Sequence, residues 1–315
     1  MKICHVNGGT SLAGYQKELA AFEALGAELK VCSAKTLDEL KAEAYDADII
    51  LFTATKFDNE VFDALPNLKL MVRYGIGYDT VDCEAAKAHG VVVCNSPTYG
   101  AYDVAEHGFA LLQAANRKIA GYDRKARGLE PASGYVSYRL IGKQIGFVGY
   151  GRIARWMATF AKGFGMSIAA YDPYADFETA EPKAQKMSLE EVLSTSDFVS
   201  LNTALTDETR GLMNAERFAL MKKDAVLVNT SRGGLVDDDA LYDALVNNKI
   251  RAAGIDVWND IPRGADNRFC ALGNVVITPH VAWNTVEASA ALKDEVIDTV
   301  TKWIKGEKLN NIVNK

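Results

Sequence analysis

The chain has 315 residues, 49% of them hydrophobic and 24% charged, with 35 basic side chains against 41 acidic ones and a formal net charge of −6. That length suits two domains, and the apolar share is enough to build buried cores. The acidic balance argues against a nucleic-acid or anionic-membrane surface, and no apolar run is long enough to span a bilayer.

Five cysteines (Cys4, Cys32, Cys83, Cys94 and Cys270) are scattered without CxxC spacing and read as reduced thiols of a cytoplasmic protein. No metal site is expected: the one adjacent Cys-His pair, Cys4-His5, falls in a strand that points the two side chains to opposite faces. Met1 leads directly into that strand, so no signal peptide is expected.

The first part of the chain alternates short apolar runs with helical patterns. Strands are expected at Ile3–Val6, Leu29–Cys32, Ile49–Phe52, Leu70–Val72 and Val91–Cys94, and helices near Tyr15–Leu25, Leu37–Ala44, Val61–Leu65 and Cys83–His89. Such alternation implies an open parallel sheet covered on both faces, in a domain of about a hundred residues. Asn95-Ser96-Pro97 breaks the pattern; a long helix, Tyr102 to Ala120, follows, and residues 121–139 read as basic and irregular.

Ile145–Val148 is the next buried strand, followed by Gly149-Tyr150-Gly151 and a helical pattern from Arg152. A strand, a glycine turn and a helix are the context of a dinucleotide fingerprint: the glycines let backbone amides approach a pyrophosphate, and the helix N-terminus adds partial positive charge. Ala154 takes the third glycine position. Asp172 ends the strand Ile168–Tyr171, about 20 residues past the glycines, where a carboxylate accepts the ribose hydroxyls and repels a 2′-phosphate. No cation follows until Lys183, so the cofactor reads as NAD; a strand-end Asp that merely caps a turn is the alternative.

Further strands are expected at Phe198–Leu201, Ala225–Asn229, Ala252–Asp256 and Val275–Thr278, with helices at Ser188–Leu193, Asn214–Met221 and Asp238–Val246. The closing helix, Val286–Lys305, is expected to pack back on the first domain. The reading is α/β, with a flavodoxin-like substrate domain (1–99 and 286–315) and a Rossmann NAD domain (100–285), both doubly wound, and a cleft between them. No appended regulatory domain is expected.

Chemistry then belongs at strand ends. Arg232, in Asn229-Thr-Ser-Arg-Gly-Gly234, lies on a glycine-flanked turn suited to forking onto a carboxylate. Among the four histidines, His5 lies in a strand, His89 ends a helix and His107 lies within the long helix, whereas His280 follows a strand in Thr278-Pro279-His280 and is the natural general acid/base. Arg73-Tyr74-Gly75-Ile76-Gly77 is a strand end with a glycine turn, either an anion-binding nest or a plain turn with Arg73 paired to Asp79.

The order of these motifs resembles the D-isomer-specific 2-hydroxyacid dehydrogenase family over nearly the whole chain, and within it the branch containing the C-terminal-binding-protein corepressors. The residues that carry it are Arg73 to Asp79, Asn95-Ser-Pro97 with Val104-Ala-Glu106, Gly142 to Gly151, Ser196-Asp197, Thr209-Arg-Gly211, Asn229 to Asp237, Ala253 to Val257 and Thr278-Pro-His280. Tyr171-Asp-Pro-Tyr174 and His280-Val-Ala-Trp283 mark the branch. The resemblance implies an NAD-dependent oxidoreductase acting between nicotinamide and C2 of a small or medium 2-hydroxy/2-oxo acid of D configuration, as a homodimer joined through the long helix and the segment to Arg139.

It also implies roles. Arg232 would bind the substrate carboxylate and polarise its carbonyl, and His280 would exchange the proton. Gly75, Ile76 and Gly77 would hold the carboxylate with Arg73; Tyr74 and Trp283 would line the pocket. Gly149, Tyr150, Gly151, Arg152 and Ile153 would border the pyrophosphate. Val104, Asp172, Thr203, Ala204, Thr209, Thr230, Ser231, Asp256 and Ala282 would line the rest of the cofactor.

The chain departs from the family pattern at three positions. Ile261 stands where a Glu usually pairs with the catalytic His, so Asp260 beside it is the candidate partner of His280. Asn202-Thr203-Ala204 replaces the usual His-x-Pro, and Ala154 replaces the third glycine. The first departure motivates a second reading, an NAD(H)-sensing regulatory protein with little turnover.

Overall fold

A computed structural model describes residues 1–7, 11–129, 136–259 and 264–315. These divide into two compact units, Met1–Gly100 with Thr285–Lys315, and Ala101–Asn284.

In the first unit, β1 (Lys2–Val6), β2 (Glu28–Cys32), β3 (Ile49–Phe52), β4 (Leu70–Arg73) and β5 (Val92–Cys94) pair in parallel in the order β2-β1-β3-β4-β5. This is the flavodoxin-like order, with its switch point between β1 and β3. The unbroken apolar run of β3 has a physical reason. Ile50 and Phe52 lie in one core with Cys4 and Val6, while Ile49 and Leu51 lie in another with Ile3 and Phe22, so both faces need cover. That cover comes from α1 (Gln16–Glu23), α2 (Leu37–Ala44), α3 (Asn59–Asp63) and α4 (Cys83–Ala88). A Thr36–Glu39 capping box starts α2, and the Asp58 carboxylate, accepting the Val61 amide, starts α3 two residues ahead of the expected place. The C-terminal helix, Val286–Ile304, adds Leu292, Val296 and Val300 to the core of Ile3 and Phe22.

The second unit begins with α5 (Ala101–Arg117) and α6 (Ile119–Ala126). The single long helix of the sequence reading is therefore two, because Lys118 adopts a left-handed φ of 55°. Residues 121–126, read as irregular, are helical. Then follow β6 (Gln144–Val148), α7 (Arg152–Gly163), β7 (Ser167–Tyr171), β8 (Gln185–Lys186), α8 (Leu189–Thr195), β9 (Phe198–Leu201), α9 (Ala215–Leu220), β10 (Val226–Asn229), α10 (Asp238–Val246), β11 (Ala252–Ile255) and β12 (Val275–Ile277). All pair in parallel in the order β12-β11-β10-β9-β6-β7-β8, and β8 is a two-residue edge strand absent from the sequence reading. The strand order reverses between β6 and β9, the place where a doubly wound sheet opens a crevice for a nucleotide. Among the described residues, no helix is long and apolar enough to cross a membrane.

Candidate active site

The turn after β6 sits at that reversal. Gly149 has φ 90°, and a Cβ there would lie 2.6 Å from the Asn202 carbonyl oxygen and 2.9 Å from the Thr203 amide nitrogen, so only glycine fits. Its amide donates to the Tyr171 carbonyl, and the Asn202 amide donates to the Val148 carbonyl, both at 2.7 Å. Gly151 then caps α7 without any side-chain bond and with nothing within 4 Å of its Cβ position. The 12-residue helix therefore starts without a capping side chain, as suits an anion site at a helix N-terminus. Ala154, fully buried, lies where the helix packs on the sheet.

Asp172 holds this turn. Its Oδ2 accepts the Tyr150 amide at 2.8 Å, and Oδ1 accepts the amides of Tyr174 at 2.8 Å and Ala175 at 3.0 Å. A carboxylate offers about four lone-pair directions, which leaves one on Oδ2 for a ribose hydroxyl. The turn-capping and ribose-binding readings of Asp172 are thus compatible. Tyr150 contributes its backbone here. Its ring is fully buried, stacks on Phe177 at 5.8 Å and donates its hydroxyl to the Pro182 carbonyl at 2.6 Å, and burial pushes its pKa up to about 12. Arg152 is exposed and Ile153 half-buried against the core. On the other side of the crevice, the Thr209 hydroxyl accepts the Thr206 amide and donates to the Ala204 carbonyl, tying the loop that carries Thr203.

Sequence reasoning passed over one feature of this loop. Both polar atoms of the Asn202 side chain are buried and lack a hydrogen-bond partner among the described residues. Such groups need one. A glycine cradle, an uncapped helix start and an orphaned amide together fit a dinucleotide.

The turn after β10 is built by Asn229, which is 1% exposed. Its Oδ1 accepts the Ser231 amide at 3.0 Å and its Nδ2 donates to the Arg232 carbonyl at 2.9 Å. Ser231 Oγ donates to the Leu201 carbonyl at 2.8 Å, linking this turn to the end of β9. A Cβ on Gly233 would collide with the backbone of Trp258 and Asn259, so the turn seats tightly against that segment. Arg232 and Thr230 are half-buried, and Val104 on α5 is buried.

The turn after β12 hangs on Asp256, which is completely buried. Its backbone carbonyl accepts the His280 amide at 2.8 Å, while its carboxylate accepts the amides of Val281 and Ala282, both at 3.0 Å. These bonds hold His280, exposed, at a left-handed φ of 61°, a conformation disfavoured for any residue with a Cβ. Trp283, half-buried, follows in the same turn. Asp260 and Ile261 lie outside the described residues.

In the first unit, Arg73 donates to the Tyr74 carbonyl and folds over Gly75, whose φ is 144°. The Gly75 amide closes onto the Arg73 carbonyl at 2.9 Å, and Asn95 and Ser96 brace the turn through the carbonyls of Ile76 and Gly75. Among the described residues the amides of Ile76 and Gly77 meet no protein acceptor, so the nest has two donors rather than three. The Tyr74 ring turns inward, stacking on His5 at 4.7 Å and donating to Glu18 at 3.1 Å; burial and Glu18 raise its pKa far above the usual range. His5 is buried, and burial lowers its pKa to about 4. His89 faces Asp63 at 2.9 Å. No group of three or more His, Cys, Asp or Glu that would suit a metal occurs among the described residues.

Two doubly wound units, one with a glycine cradle at its switch point, define an NAD-binding α/β protein. Residues 109–282 match the family described as D-isomer specific 2-hydroxyacid dehydrogenase, NAD binding domain. The chain is 38% identical to D-3-phosphoglycerate dehydrogenase of Methanocaldococcus jannaschii over 91% of its own length and 55% of that protein's. It is 34% identical to hydroxypyruvate reductase of Blautia hydrogenotrophica over 89% and 88%. The fold superposes on D-lactate dehydrogenase of Aquifex aeolicus, solved with NAD and lactic acid, with a TM-score of 0.89 at 28% identity over 99% of each chain. The chain belongs to the D-isomer-specific 2-hydroxyacid dehydrogenase family. It spans about half the length of the D-3-phosphoglycerate dehydrogenases it matches.

Proposed function

We propose that the chain is an NAD-dependent oxidoreductase of small or medium 2-hydroxy/2-oxo acids, of D configuration. The observation that carries this reading is the pair of braced turns at the ends of β10 and β12. Buried Asn229 fixes the turn of Arg232, and buried Asp256 fixes that of His280, in the unit that holds the dinucleotide cradle. Turns held this way suit chemistry that needs two groups in fixed places.

NAD(H), when bound, supplies or accepts the hydride exchanged with C2 of the acid. Arg232 forks onto the carboxylate and draws electron density from the C2 oxygen. In reduction, His280 donates a proton to that oxygen; in oxidation, it takes the proton back. On this reading, Met1–Gly100 with the C-terminal helix is the substrate domain and Ala101–Asn284 the cofactor domain.

A cytoplasmic homodimer is also proposed. Five cysteines scattered without CxxC spacing suit a reducing compartment. Tyr102 and Trp156, 47% and 45% exposed, pack edge to face at 5.2 Å, leaving an aromatic face on α5 and α7 that a second copy would cover.

The test is NADH oxidation by a panel of 2-oxo acids with short, hydroxylated and branched side chains, followed by chiral analysis of the product. Turnover to the D-hydroxy acid supports the reading; tight NADH binding with no turnover on any member supports the sensor instead.

A further inference from the structure

His107 is not among the groups that would touch substrate or cofactor, yet it is bonded into the support of His280. It lies on α5, and its Nε2 is 3.0 Å from the Thr278 hydroxyl. That hydroxyl lies 2.5 Å from Asp256 Oδ1, the same oxygen that accepts the Val281 amide. Asp256 Oδ1 is also 3.8 Å from His107 Nε2, too far for a direct bond.

The proton bookkeeping has one solution. Thr278 has a single hydroxyl proton and donates it to Asp256 Oδ1. Thr278 must then accept from His107, which carries its proton on Nε2. The chain runs His107 to Thr278 to Asp256, and from Asp256 to the amides of the turn that holds His280 at positive φ. The helix packs closely on the sheet here: a Cβ on Gly254 of β11 would meet the Leu111 Cβ of α5 at 2.9 Å and its carbonyl oxygen at 3.1 Å.

We propose that His107 and Thr278 are positioning residues for His280, orienting the Asp256 carboxylate so that it holds the His280 turn in its left-handed conformation. As a statement about catalysis, this rests on the oxidoreductase reading above.

The test compares His107→Gln, whose amide N–H takes the place of Nε2–H, with His107→Leu, and Thr278→Ser with Thr278→Val. The leucine and valine variants are expected to lower kcat about tenfold, the effect of a sub-ångström misplacement of a reacting group. KM for the oxo acid and the NADH dissociation constant should stay within about threefold. Glutamine and serine should restore kcat to within about threefold, and the Leu/Val double variant should fall no further than the worse single one, since both act through one chain.

Histidine-selective NMR supplies a readout that does not require turnover. It should find His107 protonated at Nε2, and Thr278→Val should shift the His280 ring resonances while leaving those of His89 in place. Wild-type kinetics in either hydrophobic variant, glutamine no better than leucine, or additive losses would overturn the proposal. If His107→Leu fails to fold, Thr278→Val decides alone. If the wild type reduces no 2-oxo acid, the activity reading fails while the NMR comparison still judges this one.

Discussion

Gly149 and Asn202 meet backbone to backbone across the switch point: a Cβ on the glycine would sit 2.6 Å from the asparagine carbonyl oxygen. Gly149→Ala is therefore expected to lower stability by roughly 1–3 kcal/mol, from the strained φ of 90° and the displaced loop, and to abolish NADH binding. Gly151 has an ordinary φ of −80° and open space around it. Alanine there should change stability by less than about 0.5 kcal/mol while still weakening NADH, because its methyl enters the space the pyrophosphate needs. Urea unfolding and NADH fluorescence titration read both quantities; equal stability losses at the two sites would contradict this geometry.

Asp172 serves the turn and the cofactor together. Asp172→Ala releases three amides and is expected to destabilise the chain by about 1–2 kcal/mol. Removing the carboxylate also removes its repulsion of a 2′-phosphate, so the preference for NADH over NADPH should narrow by about tenfold. An unchanged ratio of the two dissociation constants would show that something other than Asp172 selects the cofactor.

Acid sensitivity follows from His5. Burial lowers its pKa from 6.5 to about 4, so between those values the unfolded chain binds a proton that the folded chain does not. Stability should fall as pH drops through that window, by roughly 3 kcal/mol in total from this group, and level off below pH 4. Urea midpoints of wild type and His5→Phe between pH 4 and 7 separate this from other groups: the variant should show the shallower slope, and parallel curves would remove His5 as the cause.

Much of the architecture was legible in sequence. A strand such as β3 is apolar at every position because both faces are covered, and that signal needs no tertiary information. The break at Lys118 was not legible. A left-handed lysine between two helical patterns is set by its surroundings: neighbouring Asn116 bonds the Tyr138 carbonyl and Arg251. The site was legible at strand ends, where motif and turn coincide, but adjacency misled over side chains. Tyr74 and Tyr150 stand beside the two glycine turns and send their rings into the core. The bond between His107 and Thr278 joins residues 171 apart, beyond any local pattern.

The aromatic face on α5 and α7 yields a prediction about assembly. Trp156→Glu places a charge in that face and is expected to convert the proposed homodimer to a monomer at micromolar concentration while changing monomer stability by less than about 1 kcal/mol. Light scattering of the two proteins checks it. A variant that remains dimeric would place the interface elsewhere.

The Arg232 and His280 turns are proposed to act together in hydride exchange on a 2-oxo acid. The most direct measurement is NADH-dependent reduction of the best 2-oxo acid by wild type, Arg232→Lys and His280→Gln. Lysine keeps the charge but loses the fork, and should lower kcat/KM roughly 100-fold. Loss of the imidazole should lower kcat by about two to four orders of magnitude, with NADH affinity retained. Wild-type turnover in either variant, or equal loss of NADH binding in both, would show that the two turns do not carry the reaction.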